Sequence, residues 1–311
     1  MRLKKWTPLL WLLILALIGW LLADRLRQVE LEEVLEQLRA LPPHIVLAGV
    51  LCSAGVYAAV GLYEGLAVRM ATGRRSILHP LRTALVANPI GRAVGAAMVS
   101  GGALRYRMYT AAGLSAKQIA AVIVLAAMPY VLAVGWLVDL SLVLNSQQAS
   151  RTLHVSATLL TALGVVGLFK DVGWLIFVAK RTAPIYIRGL RLHLPTLRDS
   201  FVQIAFGLAE ISLMTAILYL FMPPELGMSW PSFIGIYCIA FIAGQISNIP
   251  AGIGVLEAAL LLMLPHVPPG KLLGAVLAYR AVYELLPLLL AVLLLLTYET
   301  THPAGVLRRR S

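Results

Sequence analysis

Apolar runs long enough to cross a bilayer, about 20 residues each, recur along the chain at 6–23, 45–68, 118–144, 153–179, 200–222 and 272–297. They predict six membrane-spanning helices in an all-α polytopic fold, with residues 1–311 forming one integral membrane domain. Two further apolar stretches, 78–104 and 231–264, are irregular. The first is interrupted by NPIGR, from Asn88 to Arg92, and the second by SNIPAGIG. Residues 24–41 follow a different rule. Leu31, Val34, Leu35, Leu38 and Leu41 recur at helical spacing with Glu30, Glu32, Glu33 and Glu36 between them. That pattern predicts an amphipathic helix lying on the membrane surface or on its neighbours, ended by Pro42 and Pro43.

The distribution of bases orients the spans. Arg2, Lys4 and Lys5 precede the first run, and Arg69, Arg74, Arg75 and Arg82 follow the second. Arg105, Arg107 and Lys117 come next. The 180–198 loop holds Lys180, Arg181, Arg188, Arg191 and Arg198, and the tail ends in Arg308, Arg309 and Arg310. Loops 145–152 and 223–230 are nearly free of bases. Basic loops stay cytoplasmic, so both termini are expected there. All the clusters share one side only if 78–104 enters and leaves on the same face. Two full crossings at 1.5 Å per residue need about 40 residues, more than the segment has. Its predicted form is a re-entrant hairpin with its tip at Asn88–Arg92. The same parity makes 231–264 begin and end outside, either as a hairpin or as two short spans; its length favours a hairpin. Opposite-facing hairpins in an inverted repeat are a transporter architecture.

Composition agrees. The chain is 60% hydrophobic and 13% charged, with a mean hydropathy of +0.85, which excludes a soluble globular domain. The net charge of +12 lies in short loops between apolar runs, so it points to anionic headgroups and not to nucleic acid. The N-terminal run has a basic head like that of a signal peptide, but no small-x-small cleavage site precedes Asp24, so it is read as an uncleaved first span. Cys52 and Cys238 are isolated in apolar segments and the six histidines are scattered. Neither a disulfide framework nor a metal site follows, and no cofactor is implied.

The candidate chemistry lies at the interruptions. Backbone broken at membrane depth is tolerated only inside protein or beside water. The turn with Asn248, Pro250, Gly252 and Gly254 is therefore expected to line a cavity. A helix restarting at Val255 would turn its free N–H groups toward that cavity and attract an anion, with Glu257 in its first turn. Arg92 follows the first tip. The plainer alternative is a kinked span with Glu257 paired inside the bundle. A charge at the bilayer centre costs about 2.5–3.5 kcal/mol on insertion scales, so each needs a partner or water. Arg280 and Glu284, one turn apart, can share a face, in a structural or a substrate role. Glu210 lies in mid-span with no local base. Lys170 and Asp171 are expected to pair with other helices, Glu64 to sit at the interface near Arg69, and Asp139 to be wet. In SGGALRYRMYTAAGLS, Gly101 and Gly102 would allow a sharp exit. Arg105 and Arg107, with Tyr106 and Tyr109, would sit at the cytoplasmic interface, holding lipid phosphate or serving as ordinary anchors.

NPIGRAVGAAMVSGGALRYRMYTAAGLS, followed by NIPAGIGVLEAALLLML and YRAVYELLPLLLAVLLLL, resembles the flippase-like membrane domain of lysylphosphatidylglycerol synthetases, over nearly the whole chain. In the bifunctional members the membrane half moves an aminoacylated phospholipid between leaflets, and a C-terminal cytosolic domain makes it. The chain stops at THPAGVLRRRS, so no synthase activity is expected. The family's proline-glycine turn and glutamate fall on Pro250, Gly252, Gly254 and Glu257. Its glycine and arginine-tyrosine-arginine stretch falls on Gly101, Gly102, Arg105, Tyr106 and Arg107. Ala251 stands where many members carry a second glycine. The resemblance implies a lipid translocase of the bacterial inner membrane, acting on an anionic or zwitterionic lipid. Arg92, Arg105 and Arg107 would guide the headgroup from the cytoplasmic leaflet, and the 250–254 turn and Glu257 would receive it. No nucleotide-binding loop is present, which leaves Glu257 and Glu210 as candidates for proton coupling. Two other readings stay open: an accessory membrane protein scaffolding lipid-synthesis enzymes, and, last, a membrane-embedded enzyme, for which no nucleophile–base pair is evident. A homodimer and a lipid-synthesis enzyme are the protein partners left open.

Overall fold

The fold was analysed in a computed structural model, which describes residues 30–301 except 75, 95–96, 154, 182–184, 188–189, 193–194 and 248. The predicted first span at 6–23 and the basic tail lie outside the described residues. Helix α1 (Leu31–Ala40) is followed by α2 (Pro43–Thr72), α3 (Leu78–Val94) and α4 (Ala97–Ala111). Next come α5 (Ala116–Leu144), the short α6 (Ser146–Leu153), α7 (Ala157–Lys180) and α8 (Leu197–Phe221). A 3₁₀ turn at Pro224–Leu226 leads to α9 (Trp230–Ile246). A second 3₁₀ turn at Pro250–Gly252 precedes α10 (Val255–Met263) and α11 (Pro269–Arg280). A π turn at Ala281–Leu285 joins α11 to α12 (Leu286–Thr301).

Among the described residues, five segments are long and apolar enough to cross a membrane: α2, α5, α7, α8 and the run Pro269–Thr297. They match the predicted spans to within a few residues, because local chemistry sets their ends. Pro43 at the first helical position starts α2, and Gly73 in the left-handed region (φ 72°) ends it by donating its N–H to the Arg69 carbonyl. Ser115 and Gln118 cap α5 reciprocally. Thr196 accepts from the Asp199 N–H at the start of α8.

The amphipathic helix is present as α1, and it packs on protein. Gln37 Nε2 donates to the Phe221 carbonyl at 2.9 Å, and the Gly270 N–H donates to Glu33 at 3.2 Å. Gly270 and Gly274 of α11 admit it, since a Cβ at either would run into Glu33 or Gln37.

The fold is all-helical as expected, with one short departure. Within the 180–198 loop, Ile185–Ile187 and Leu190–Leu192 pair as a two-stranded antiparallel ribbon with Ile185 opposite Leu192. Alternating Ile, Tyr, Ile and Leu, Arg, Leu is the period-two pattern of a strand, too short to compete with its basic loop context when read alone.

Both irregular stretches are helical hairpins. In the second, α9 and α10 pack on each other across the 250–252 turn, within the predicted interruption SNIPAGIG. In the first, α3 packs on α4, but α3 continues unbroken through Asn88–Arg92, where the tip was expected. Pro89 sits inside α3. Asn88 does not start a turn; its amide donates to the Ala84 carbonyl one turn back, at 3.1 Å. Gly101 and Gly102 likewise form no sharp exit and lie inside α4. Gly101 permits close contact with α3, because a Cβ there would sit 3.0 Å from the Ala87 carbonyl oxygen. Ser100 Oγ donates to the Gly91 carbonyl at 3.0 Å.

At 1.5 Å per residue, the 17-residue helices α3 and α9 reach about 25 Å, less than a bilayer core of about 30 Å. Helix α10, with nine residues, reaches about 14 Å. The 250–252 turn and α12 both pack against α3, so the two hairpins meet. The core around them is rich in tyrosine: Tyr109, Tyr237, Tyr279 and Tyr283 are fully buried.

Candidate functional site

The site begins with the backbone of the second turn. Ala251, Gly252 and Gly254 all have positive φ, at 52°, 60° and 84°. Only glycine adopts that region without a Cβ penalty. Gly252 is needed for a second reason, since its backbone lies against Gly244 across the hairpin. Asn248 lies outside the described residues, and Pro250 opens the 3₁₀ turn.

Helix α10 then starts at Val255, and its N-terminus is closed by its own side chain. Glu257 Oε2 accepts the Gly254 N–H at 2.9 Å. The carboxylate expected to share a cavity with an anion thus occupies the anion's place at the dipole end.

Arg280 binds Glu257 through both oxygens, at 2.6 Å from Nε and 3.0 Å from Nη2. The same guanidinium donates to the carbonyls of Ala251 (3.1 Å) and Gly252 (3.5 Å) and to Glu284 Oε2 (2.8 Å). One arginine therefore satisfies the turn's exposed carbonyls and fixes the helix that follows. Glu257 is thus paired inside the bundle, the arrangement that the plainer alternative describes, and Arg280 and Glu284 share a face and pair with each other.

Glu284 extends the row. Its Oε1 lies 3.9 Å from Arg92 Nη2. Arg92 donates to the Tyr283 hydroxyl and lies 4.6 Å from the centre of the Tyr283 ring and 5.3 Å from that of Phe241. Glu257, Arg280, Glu284 and Arg92 thus alternate in sign from the second hairpin, across the last span, to the first hairpin. The π turn at Ala281–Leu285 carries Tyr283 and Glu284. Helix α2 holds that irregular turn: Ser53 Oγ donates to the Val282 carbonyl at 3.1 Å, and Tyr57 donates to the Tyr283 carbonyl at 3.5 Å. Such π turns are frequent at functional sites.

Arg105 lies elsewhere. Its guanidinium makes a two-pronged pair with Glu64, at 2.9 Å and 2.7 Å, and also donates to Asn88 Oδ1 at 3.2 Å. Tyr109 donates to Glu64 Oε1 at 3.0 Å. Glu64 is wholly buried, so its expected place at the interface beside Arg69 is corrected; Arg69 pairs with Asp199. The sequence offered no register by which to bring residues 41 apart together. Arg107 and Tyr106 are exposed on α4. Asp139, expected to be wet, is mostly buried and takes Lys170 at 3.1 Å, and Lys170 also reaches its neighbour Asp171 at 3.1 Å.

Glu210 is buried in α8. Its Oε2 is buried and accepts no hydrogen bond among the described residues. Among the described residues no cluster of three or more metal-ligating side chains occurs.

No family model matches the chain. It is 31% identical over 232 residues to the uncharacterized protein slr0712 of Synechocystis sp., covering 73% of this chain and 70% of that one. It is 32% identical over 213 residues to the inner membrane protein YbhN of Escherichia coli, covering 65% of this chain and 64% of that protein. Phosphatidylglycerol lysyltransferase of Staphylococcus haemolyticus matches at 29% identity over 134 residues, which is 41% of this chain but only 16% of the enzyme.

Proposed function

Because the chain belongs to the family of the Synechocystis protein slr0712, a family of polytopic membrane proteins related to YbhN and to a stretch of the lysyltransferases, we propose that it is a lipid translocase of a bacterial inner membrane. The observation that carries this reading is the meeting of two short helical hairpins at the charge row Arg92–Glu284–Arg280–Glu257. Hairpins too short to cross, joined by irregular backbone, are the means by which transporters place a polar site at mid-membrane. The reading takes both as re-entrant, from opposite faces.

Within the row, Arg92 is the residue proposed to take the headgroup phosphate. Arg280 is bound to two carboxylates and two carbonyls, and Arg105 is bound to Glu64. Arg92 has a long contact to Glu284, a hydroxyl and two aromatic faces, so an anionic oxygen can replace Glu284 at modest cost. Arg105, Gly101 and Gly102 support the hairpin that carries it. Arg107 serves capture at the cytoplasmic surface, and the 250–254 turn forms the opposite wall. The lysyltransferase likeness supports a phospholipid, anionic or zwitterionic, as the substrate class.

The test is a leaflet-resolved assay of labelled phospholipid with the purified protein in liposomes. Movement that falls at least tenfold in Arg92→Gln, with folding intact, supports the reading; movement equal to that of empty liposomes ends it. Cysteine accessibility checks the topology, since residues in 180–198 and in 145–152 should label from opposite sides. A second reading, an accessory protein for lipid-synthesis enzymes, is favoured by the fully paired state of Arg105 and Arg280, which resembles a staple more than a transport path. It expects no lipid movement from the pure protein.

A further inference from the structure

Away from the charge row, a cavity lies between α5, α6 and the second hairpin. It is found where Asn145 caps α5 and where α9 opens with Trp230. Tryptophan is enriched at the headgroup level of a bilayer, which puts the mouth near the membrane surface. Helices α5 and α9 pack on each other. Gly235 brings them close, because a Cβ there would run into the Ser141 hydroxyl. The space measures about 470 Å³ with its open side included, and ligand sites span about 300–1,000 Å³.

The lining changes character with depth. From the helix end inward, α5 contributes Asn145, Ser141 and Val138, and α9 contributes Ser232, Ile236 and Ile239. Each series descends by about 10 Å at 1.5 Å per residue. The mouth is therefore amide and hydroxyl, and the floor is apolar. Among the described residues that line the cavity, none is charged.

This order is that of a glycerolipid, whose ester carbonyls lie between the headgroup and the acyl chains. We propose that the cavity is a phospholipid-binding site, with an ester carbonyl at Asn145 and one acyl chain laid along Val138, Ile236 and Ile239. Ser232 Oγ donates to Asn145 Oδ1 at 3.4 Å. That contact uses the oxygen of the amide, and the amide nitrogen is the donor that an ester carbonyl takes. An acyl chain gains little by leaving lipid for an apolar wall, so the hydrogen bonds at the mouth decide occupancy. With no charge in the lining, the site reads the glycerol region and is indifferent to the headgroup. The inference deepens the translocase reading and rests on it for the leaflet. With the basic loops inside, the cavity opens at the outer leaflet, where a lipid passing Arg92 would arrive.

The experiment uses the full chain in liposomes containing phosphatidylcholine with a diazirine on one acyl chain. After illumination, adducts are mapped by peptide mass spectrometry. The exposed apolar face of α7, at Val166 and Phe169, reports ordinary contact with bulk lipid. Adducts on Val138, Ile236 or Ile239 should be richer than those on α7. Ile239→Trp, which fills the floor, should lower them at least about fivefold and leave the α7 adducts unchanged; Val138→Phe fills the same floor from α5 and replaces it if Ile239→Trp is not monodisperse. Asn145→Ala should lower them about fivefold, the effect of one neutral hydrogen bond. Phosphatidylglycerol with the same tag should label within about threefold of phosphatidylcholine. Cavity adducts no richer than those on α7, or unchanged in the floor-filling and Asn145 variants, overturn the proposal, as does a larger preference for either headgroup. Adducts without lipid movement leave the site standing and end the translocase reading; movement without cavity adducts does the reverse.

Discussion

Arg280 and Glu257 meet through two hydrogen bonds, at 2.6 Å and 3.0 Å, across the mouth of the turn that breaks the second hairpin. Twenty-three residues separate them in the chain. The pair closes the turn, because the same guanidinium binds the Ala251 and Gly252 carbonyls. Breaking a buried pair by removing one partner costs about 3–5 kcal/mol, and the partial exposure of Glu257 puts the expected loss at the lower end. Glu257→Gln should lower the thermal midpoint in detergent by several degrees, and Arg280→Lys should not rescue it, since lysine cannot make the two-pronged contact. A double-mutant cycle of Glu257→Gln with Arg280→Gln should return a coupling of about 1–3 kcal/mol; additivity would show that the pair does not act as one.

Ala251 carries a side chain at φ 52°, a conformation costing about 1–2 kcal/mol for a residue with a Cβ. Ala251→Gly should therefore raise stability by about 1 kcal/mol despite the added freedom of the unfolded chain. Ala251→Val should lower it. Thermal unfolding of the three proteins side by side decides the matter.

Glu64 and Arg105 fix the first hairpin to α2. With Glu64 fully buried, Arg105→Ala should destabilise by about 3 kcal/mol or more, seen as lost monodispersity or a large fall in midpoint. A headgroup role for Arg105 would instead lower lipid movement while leaving the midpoint unchanged.

Gly207 of α8 abuts the Pro129 carbonyl of α5, where a Cβ has no room, whereas a Cβ at Gly173 of α7 meets nothing within 4 Å. Gly207→Ala should cost about 1–3 kcal/mol through overpacking, and Gly173→Ala should fall within about 0.5 kcal/mol of the parent. Equal effects would argue against the α5–α8 contact.

Glu225, in the loop before α9, accepts from Lys271 Nζ at 2.6 Å. That hydrogen bond, with one from its own backbone, holds its carboxyl below the usual glutamate range. A depressed value means that its small contribution is present above the unfolded value, about 4.3, and is lost as pH falls through the folded one. The difference in midpoint between the parent and Glu225→Gln should therefore be present at neutral pH and vanish in acid.

Much of the architecture was determined by sequence alone. Uninterrupted apolar runs have one low-energy form in lipid, the helix, because every backbone group must be satisfied within the segment. Proline, glycine and capping residues then set the ends of α2, α5 and α8. The second hairpin's break was legible for the same reason, since Pro250, Gly252 and Gly254 act locally. The first break was not. Asn88, Pro89 and Gly91 read as a turn, yet Asn88 bonds back to Ala84 and on to Arg105, and the helix continues through Pro89. Only tertiary structure decided which charges meet. Glu64 with Arg105, Glu257 with Arg280 and Arg92 with Glu284 lie 41, 23 and 192 residues apart. A buried charge announces in the sequence that it needs a partner, but the partner's identity depends on which helices pack together, and that follows from the fit of whole helix surfaces.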